Sequence, residues 1–261
     1  MLENGETNKI RASVANFYES NGASFASTRS GCWVVMNFVR AACHSGDCVI
    51  DVGAGNARLA ASIPADMRYV AIEPSSTLCD AARSNSASRT LAEVRPGGFP
   101  QLPAKDGEAD VTACIAVLHH LSRDERRSAM QELARITRPG GTLVLTVMNL
   151  RSVRWMQWKI WLASWCRLPM VRGGGCGDTW VLWKKDRIPA NRYFHAYTLR
   201  ELRADARAAH WDIEQCVGWG EDRKMNILFA RNLLLVAKKR LSSDTNDGGE
   251  KRVTEGVRSS A

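Results

Sequence analysis

The stretch Val49-Ile50-Asp51-Val52-Gly53-Ala54-Gly55-Asn56-Ala57 decides the fold, together with Val70-Ala71-Ile72-Glu73, whose carboxylate follows Gly53 by twenty residues. This pattern predicts a buried strand, a glycine turn, the start of a helix and a second strand that ends at a carboxylate. A turn without side chains lets a ligand lie against the backbone. A carboxylate at the next strand end can accept hydrogen bonds from two ribose hydroxyls. We therefore predict a nucleoside-binding site here.

Size and composition indicate a globular chain. Its 261 residues are 45% hydrophobic and 24% charged, which suits one α/β domain with additions. No run of eighteen apolar residues occurs and residues 1–11 are polar, so we expect neither a membrane segment nor a secretory signal. The eight cysteines contain no C-x-x-C pair. This spacing argues against a metal site and a disulfide scaffold, and it favours a reducing location, the cytoplasm or also the nucleus.

Strands alternate with helices through most of the chain, which predicts a parallel sheet with helices on both faces. The predicted helices are 13–43 (as helical segments), 57–62, 76–85, 122–135 and 198–209, and the predicted strands are 48–52, 69–72, 90–94, 111–117, 142–148, 211–217 and 228–237. We expect residues 1–12 to be flexible, 13–240 to form the domain with an insert at about 151–197, and the polar tail 241–261 to be disordered.

Two nucleotide-binding systems share such a glycine turn. Dinucleotide enzymes favour a third glycine three residues after Gly55, where this chain has Arg58. The alternative, D-x-G-x-G followed by an acidic strand end, is the signature of class I S-adenosylmethionine-dependent methyltransferases, and residues 45–150 resemble that superfamily. The resemblance implies a Rossmann-like, mostly parallel seven-stranded sheet with an inserted Trp-rich and basic segment, and S-adenosyl-L-methionine as cofactor.

The resemblance also implies which residues hold the cofactor. Asp51, Gly53 and Gly55 would cradle its amino-acid part, and Glu73 would bind the ribose hydroxyls. The other implied contacts are Pro74 beside the ribose, Phe99 over the adenine, and Ile115 and Ala116 near the methyl group. Tyr18 could serve either in the core or as a contact to the cofactor's carboxylate.

Two positions depart from the superfamily pattern. Ala57 stands where a third glycine is usual, and Gly98 stands where an acid usually binds the adenine amino group. An unpaired amine would weaken binding by ~1–2 kcal/mol. Asp106 or Glu108 could replace the missing acid.

Four further motifs resemble the eukaryotic tRNA wobble-uridine carboxymethyl ester methyltransferases. In chain order they are Phe17-Tyr18-Glu19 with Phe25 to Trp33, then Ile115 to Ser122, then Gly177 to Lys184, and finally Arg192-Tyr193-Phe194-His195. The resemblance implies that the chain esterifies the carboxymethyl group on a wobble uridine in a tRNA anticodon loop. Two alternatives stay open: a methyltransferase of a small metabolite, and a catalytically degenerate subunit that binds RNA or a partner.

The implied chemistry suits a small set of side chains. A carboxylate is ionised at neutral pH and needs no general base, so catalysis is mainly a matter of orientation. An arginine could hold the carboxylate and a histidine could donate an orienting hydrogen bond. The candidates are Arg29, His119, Arg192 and His195. His119 could instead be bonded to backbone at a helix start, Arg29 could be a surface ion pair, and His120 is expected to pack.

The chain's basic charge is concentrated after the fifth predicted strand. Residues 151–207 contain twelve Lys and Arg against four Asp and Glu, or +8 of the net +9. Cations interleaved with aromatic side chains suit a single-stranded RNA loop. The predicted RNA contacts are Trp180, Trp183, Lys184 and Tyr193. A solvated basic face and the apolar underside of a lid are the alternatives.

Trp155, Trp158, Trp161 and Trp165 lie on one face of a predicted helix. Burial against the domain, a partner groove, an RNA-stacking face and a membrane-surface helix all suit such a stripe. Several methyltransferases of the resembled group depend on a small zinc-binding activator protein that adds to the sheet. The resemblance therefore implies such a partner here.

Overall fold

In a computed structural model, the chain is described over residues 3–27, 33–149, 177–183, 190–220 and 223–241. The strands of the described residues are β1 Cys48–Val52, β2 Arg68–Glu73, β3 Ala92–Pro96, β4 Ala109–Ile115, β5 Thr137–Met148, β6 Asp178–Trp183, β7 Ala190–His195, β8 Trp211–Trp219 and β9 Asn232–Lys239. The α-helices are α1 Glu3–Ser27, α2 Met36–Ala42, α3 Ser76–Ser86, α4 Arg123–Ile136 and α5 Leu199–Ala208. Short 3₁₀ helices span Arg58–Ser62 and Leu118–His120.

Seven strands form one sheet in the order β3-β2-β1-β4-β5-β9-β8. The first five are parallel, whereas β9 pairs antiparallel with both β5 and β8. The predicted mostly parallel, seven-stranded sheet is therefore confirmed. The strand order reverses between β1 and β4, and ligands of such sheets bind at the carboxyl ends of the strands beside that point.

Helices cover both faces of the sheet, as predicted. One core packs Met130 and Leu133 of α4 and Leu202 of α5 against one face. The other packs Met36 and Val39 of α2, with the first 3₁₀ helix, against the opposite face. Because both faces are covered, the central strands are mostly apolar, and every residue of β1, including Asp51, is buried.

Helix α1 begins earlier than predicted. Residues 3–12, which lie before the predicted helical segments, are helical, and α1 continues to Ser27. Two contacts far along the chain hold its first half: the Thr7 hydroxyl donates to Ser122 at 3.3 Å, and Arg11 pairs with Glu125 at 2.7 Å. Tertiary contacts therefore order a segment whose sequence shows little amphipathic pattern.

Several strand boundaries differ from the prediction by one to five residues; β3, for example, spans Ala92–Pro96 instead of 90–94, and β9 spans Asn232–Lys239 instead of 228–237. Strand β4 ends at Ile115 instead of Val117, because Ala116 takes a left-handed conformation with φ of 62°. Strand β5 begins at Thr137 instead of Thr142, since Thr137 pairs with Ala109 across a register irregularity in β4. Gly140, with φ of 74°, accommodates that irregularity.

The described part of the predicted insert is a β-hairpin. Strands β6 and β7 pair antiparallel, with Asp178 opposite His195 and Trp180 opposite Tyr193. Arg29, Lys184, the tryptophan stripe from Trp155 to Trp165 and residues 242–261 lie outside the described residues, as does the side chain of Trp183.

Within the described ranges, no helix is long and apolar enough to cross a membrane. The same ranges contain no cluster of three or more His, Cys, Asp or Glu side chains that could hold a metal ion.

Candidate active site

A cavity of about 820 Å³ opens at the carboxyl ends of β1, β2 and β4, where the strand order reverses. Helix α1 and strand β7 supply its other walls, through Tyr18 and Arg192 among others. All the predicted cofactor residues line it, namely Tyr18, Asp51, Gly53, Gly55, Glu73, Pro74, Phe99, Ile115 and Ala116. The fold thus gathers into one place residues that lie up to 98 positions apart (116 − 18).

The glycine turn after β1 is tightly constrained. The N–H groups of Gly53 and Ala54 donate to the carbonyl of Ile72, at 2.8 and 3.1 Å. Gly53 and Gly55 have φ of 68° and 59°, which favours glycine. Ala57 is also left-handed, with φ of 54°, so the alanine keeps the glycine-like turn at a strain of about 1–2 kcal/mol.

Glu73 faces the cavity from the end of β2. Its carboxylate accepts hydrogen bonds from the N–H groups of Gly55 at 2.9 Å and Ser75 at 3.0 Å. Burial raises the pKa of Glu73 to about 7, although these two bonds oppose the rise. Further hydrogen-bond donors would stabilise the ionised form of a carboxylate in this setting.

Asp51 lies deeper, against the sheet. It is buried and accepts a 2.7 Å hydrogen bond from the Tyr69 hydroxyl. Burial raises the pKa of Asp51 to about 6, with the Tyr69 bond acting in the opposite direction.

Asp106 and Glu108, the two candidates to replace the acid missing at Gly98, both pair with arginines. Asp106 pairs with Arg135 at 2.6 Å, and Glu108 pairs with Arg95 at 2.8 Å. Neither acid lines the cavity, so the suggestion that one of them replaces the missing carboxylate is wrong. Phe99 does line it, as predicted.

A buried arginine enters the cavity from β7. The guanidinium of Arg192 lies between the rings of Phe17 and Phe194, 4.5 Å from each ring centre. Its Nη1 donates a 2.8 Å hydrogen bond to the Tyr18 hydroxyl. The stacking places one planar cation at a defined position in an otherwise mostly apolar wall.

Two histidines lie beside this cation. His119 stacks on Phe194 with ring centres 5.1 Å apart, and its Nδ1 accepts from the Met148 N–H at 3.3 Å. That bond leaves the ring proton of a neutral His119 on Nε2, which makes Nε2 a hydrogen-bond donor. His120 also lines the cavity, although the sequence analysis assigned it to packing.

His195 and Tyr193 face away from the cavity, so the structure does not bring these two predicted site residues together with Arg192 and His119. Side chains alternate along β7, so Arg192 and Phe194 point one way and the two others point the opposite way. His195 is buried, with Nδ1 at 2.6 Å from Asp178 and Nε2 at 2.8 Å from Glu201. Tyr193 is fully buried and donates to Asp178 at 2.7 Å.

A structural role for His195 predicts a specific result. In His195→Gln, the buried Asp178 carboxylate loses a partner, so the free energy of unfolding should fall by about 3 kcal/mol. Binding of the predicted cofactor should stay within twofold, measured by calorimetry below the unfolding transition. A variant of normal stability with lost activity would contradict this role.

Sequence reasoning missed several cavity residues because their signals lie in pairings across the chain. Of the residues that line the cavity, His120 was quoted within a motif without this role and Arg231 was not singled out. Phe17 does not line the cavity, but its ring contacts Arg192, which does. Tyr18 and His120 are 102 positions apart and meet only through the packing of α1. No local spacing could show that contact.

Comparisons with known proteins agree with this geometry. Residues 50–145 match a family model described as a methyltransferase domain. The chain is 32% identical over 141 residues to the Mus musculus tRNA (carboxymethyluridine(34)-5-O)-methyltransferase ALKBH8, an alignment that covers 53% of this chain and 20% of that protein. The Arabidopsis thaliana tRNA (carboxymethyluridine(34)-5-O)-methyltransferase is 31% identical, with 51% of this chain and 32% of that protein covered. The chain thus spans less than a third of the length of each of these relatives.

Solved structures share the fold. A complex between the Haloferax volcanii Trm112 methyltransferase activator and a methyltransferase matches with a TM-score of 0.65 and 15% identity, over 87% of this chain and 98% of that one. A Burkholderia thailandensis 1,6-didemethyltoxoflavin-N1-methyltransferase with bound S-adenosylhomocysteine matches with a TM-score of 0.59 and 16% identity, over 90% of each chain. Residues 50–145 are thus a methyltransferase domain, and the fold of the chain is that of S-adenosylmethionine-dependent methyltransferases of class I.

Proposed function

We propose that this methyltransferase esterifies the carboxymethyl group on a wobble uridine of tRNA. The observation that carries the proposal is the buried Arg192 guanidinium, held between two rings in the same cavity as the glycine turn. A fixed planar cation suits a carboxylate substrate, because a guanidinium can form two parallel hydrogen bonds to it. Sequence similarity to two carboxymethyluridine methyltransferases supports the same substrate.

The reaction needs no general base. One carboxylate oxygen attacks the methyl carbon of S-adenosylmethionine, the carbon–sulfur bond breaks, and its electron pair goes to sulfur, which leaves a methyl ester and S-adenosylhomocysteine. Arg192 would hold the carboxylate, and the N–H of His119 would orient it. Arg29 stays a candidate for holding the carboxylate, and Trp183 and Lys184 stay candidate RNA contacts. Trp180 contacts Tyr193 on the face of the hairpin that does not line the cavity, so its proposed contact is with RNA outside the cavity. The protein's contribution is then mainly to align the oxygen with the methyl group.

The acids along the cavity already have partners, which agrees with this mechanism. Glu125 pairs with Arg11, and Glu19 accepts hydrogen bonds from Ser75 and Ser76. Hydrogen bonds from these two serines lower the pKa of Glu19, and the bond from the Ser76 hydroxyl has the largest effect. Glu73 and Asp51 lie at the proposed cofactor position.

The cofactor assignment predicts a dependence on pH. Ribose hydroxyls would donate to ionised Glu73, whose pKa of about 7 in the cofactor-free chain leaves it mostly protonated at pH 6. The dissociation constant of S-adenosylmethionine should therefore rise up to about tenfold between pH 8 and pH 6. Calorimetry at both values measures it, with Glu73→Gln as the control that loses most of this dependence. An unchanged constant in the parent chain would contradict the role of Glu73.

The same raised pKa affects the stability of the cofactor-free chain. Between the ordinary pKa of 4.5 and about 7, the folded state binds the Glu73 proton more tightly than the unfolded state does. The Glu73 contribution to the free energy of unfolding therefore falls as the pH rises through this window.

The substrate can be tested directly. Tritiated methyl transfer should occur to tRNA that carries the carboxymethyl nucleoside and should be absent with tRNA that lacks it. Cells without this chain should accumulate the unesterified nucleoside, which mass spectrometry of tRNA digests detects. Transfer to a small-molecule extract in place of tRNA would favour the metabolite alternative, and an unchanged nucleoside profile would refute the tRNA assignment.

We also propose that a small activator protein binds this chain. The support is the sequence resemblance and a similarly folded methyltransferase whose structure is a complex with the Trm112 activator. At the β3 end of the sheet, Leu91 is exposed, so an added strand there would cover apolar surface. Co-purification with such a protein should raise solubility and activity. A chain that is soluble, monomeric and fully active alone would contradict this proposal.

A further inference from the structure

A chain of hydrogen bonds runs from His120 through Tyr18 to Arg192. The Nε2 of His120 lies 2.9 Å from the Tyr18 hydroxyl oxygen. That oxygen accepts the 2.8 Å hydrogen bond from Nη1 of Arg192. The other ring nitrogen of His120, Nδ1, lies 3.1 Å from the carbonyl oxygen of Tyr193. Three elements distant in sequence therefore meet at one hydroxyl group.

The partners determine the direction of each bond. A carbonyl oxygen only accepts, so Nδ1 of His120 carries a proton and donates it to Tyr193. A second positive charge on the His120 ring, so close to the Arg192 guanidinium, is disfavoured by repulsion. Nε2 of the neutral ring then accepts the Tyr18 hydroxyl proton. The lone pairs of Tyr18 consequently point away from His120 and are available to the Arg192 N–H.

This bond supplies an orientation that stacking alone does not. Phe17 and Phe194 hold the Arg192 guanidinium between two planes at 4.5 Å from each ring centre. The two rings restrict the tilt of the guanidinium plane, but they restrict rotation of the guanidinium within that plane less. The bond from Nη1 to Tyr18 selects one in-plane orientation, and with it the direction of the guanidinium's remaining N–H groups.

We propose that Tyr18 and His120 are positioning residues that orient Arg192 toward the substrate carboxylate. The inference rests on the proposed carboxylate substrate and assigns Tyr18 to the arginine, where the sequence analysis allowed a contact to the cofactor. Because a small rotation moves both donors of a bidentate pair, loss of the Tyr18 hydroxyl reduces binding of the reacting group.

Tyr18→Phe tests the proposal, since it keeps the ring contacts with Phe17 and Phe25. We expect kcat/KM for tRNA to fall about 5- to 20-fold with unchanged affinity for S-adenosylmethionine. In an Arg192→Met background the same change should have no further effect, because Tyr18 acts through Arg192. Equal losses in both backgrounds, or a loss confined to cofactor affinity, would overturn the proposal.

Nitrogen-15 NMR of His120 provides a readout that needs no substrate. We expect a proton on Nδ1 and none on Nε2 in the parent chain, and a changed Nε2 signal in Tyr18→Phe. The opposite tautomer overturns the hydrogen-bond chain whatever the substrate is. The expected tautomer combined with no methylation of tRNA would refute the proposed function and leave the His120–Tyr18–Arg192 geometry in place.

Discussion

Arg192→Met is expected to lower kcat/KM for tRNA methylation by about 30- to 1000-fold, equivalent to about 2 to 4 kcal/mol of lost transition-state binding. The variant removes the cation that we propose holds the substrate carboxylate. Methionine is unbranched and packs well against aromatic rings, so it should fill the space between Phe17 and Phe194. The loss should therefore reflect missing recognition more than unfolding.

Two comparisons separate recognition from other effects. Arg192→Lys keeps the charge but lacks the planar fork, so it should recover only part of the activity. Arg203→Met is the matched control, because Arg203 donates to the backbone carbonyl of Cys216 on β8 and does not line the cavity. Affinity for S-adenosylmethionine should be retained in all three variants, since backbone bonds hold the glycine turn and Glu73. Activity within twofold of the parent in Arg192→Met would exclude this residue from substrate binding.

The sequence was sufficient for the parts of the fold that depend on local patterns. Strand β1 matches its predicted bounds because an apolar run ends at an aspartate and two glycines. Helix α4 starts one residue after the expected position, since Ser122 and Glu125 form a capping box there. Both signals lie within a few residues of the boundary that they set.

The candidate site was predictable only in part, because the wall that α1 and β7 form depends on tertiary packing. The motif from Arg192 to His195 was read as one functional unit, but strand alternation divides it between the cavity and the buried Asp178 network. Recognising β7 as a strand would have predicted this division. By contrast, the contact of Tyr18 with His120 depends on how α1 packs against the second 3₁₀ helix and β7, and no periodicity encodes it.

Gly53→Ala should destabilise the chain strongly and weaken cofactor binding. A Cβ at Gly53 would clash with Cγ2 of Val117, and the backbone φ of 68° already disfavours a side chain. The turn cannot easily move, because the Gly53 N–H is bonded to Ile72 at 2.8 Å. We expect a loss of about 2–5 kcal/mol in the free energy of unfolding, from the left-handed backbone and the overpacking together.

Gly55→Ala is the matched control for this prediction, because it shares the backbone strain without the clash. Its φ is 59°, but the nearest atom to an added Cβ is Cε1 of Phe25 at 3.9 Å. Chemical denaturation should therefore show Gly55→Ala to be more stable than Gly53→Ala by about 1–3 kcal/mol. Adding Val117→Ala should recover much of that difference in the Gly53 variant alone, since a stiff β-branched side chain is then removed. Equal losses in the two glycine variants would mean that backbone conformation, and not the Val117 contact, makes glycine necessary after β1.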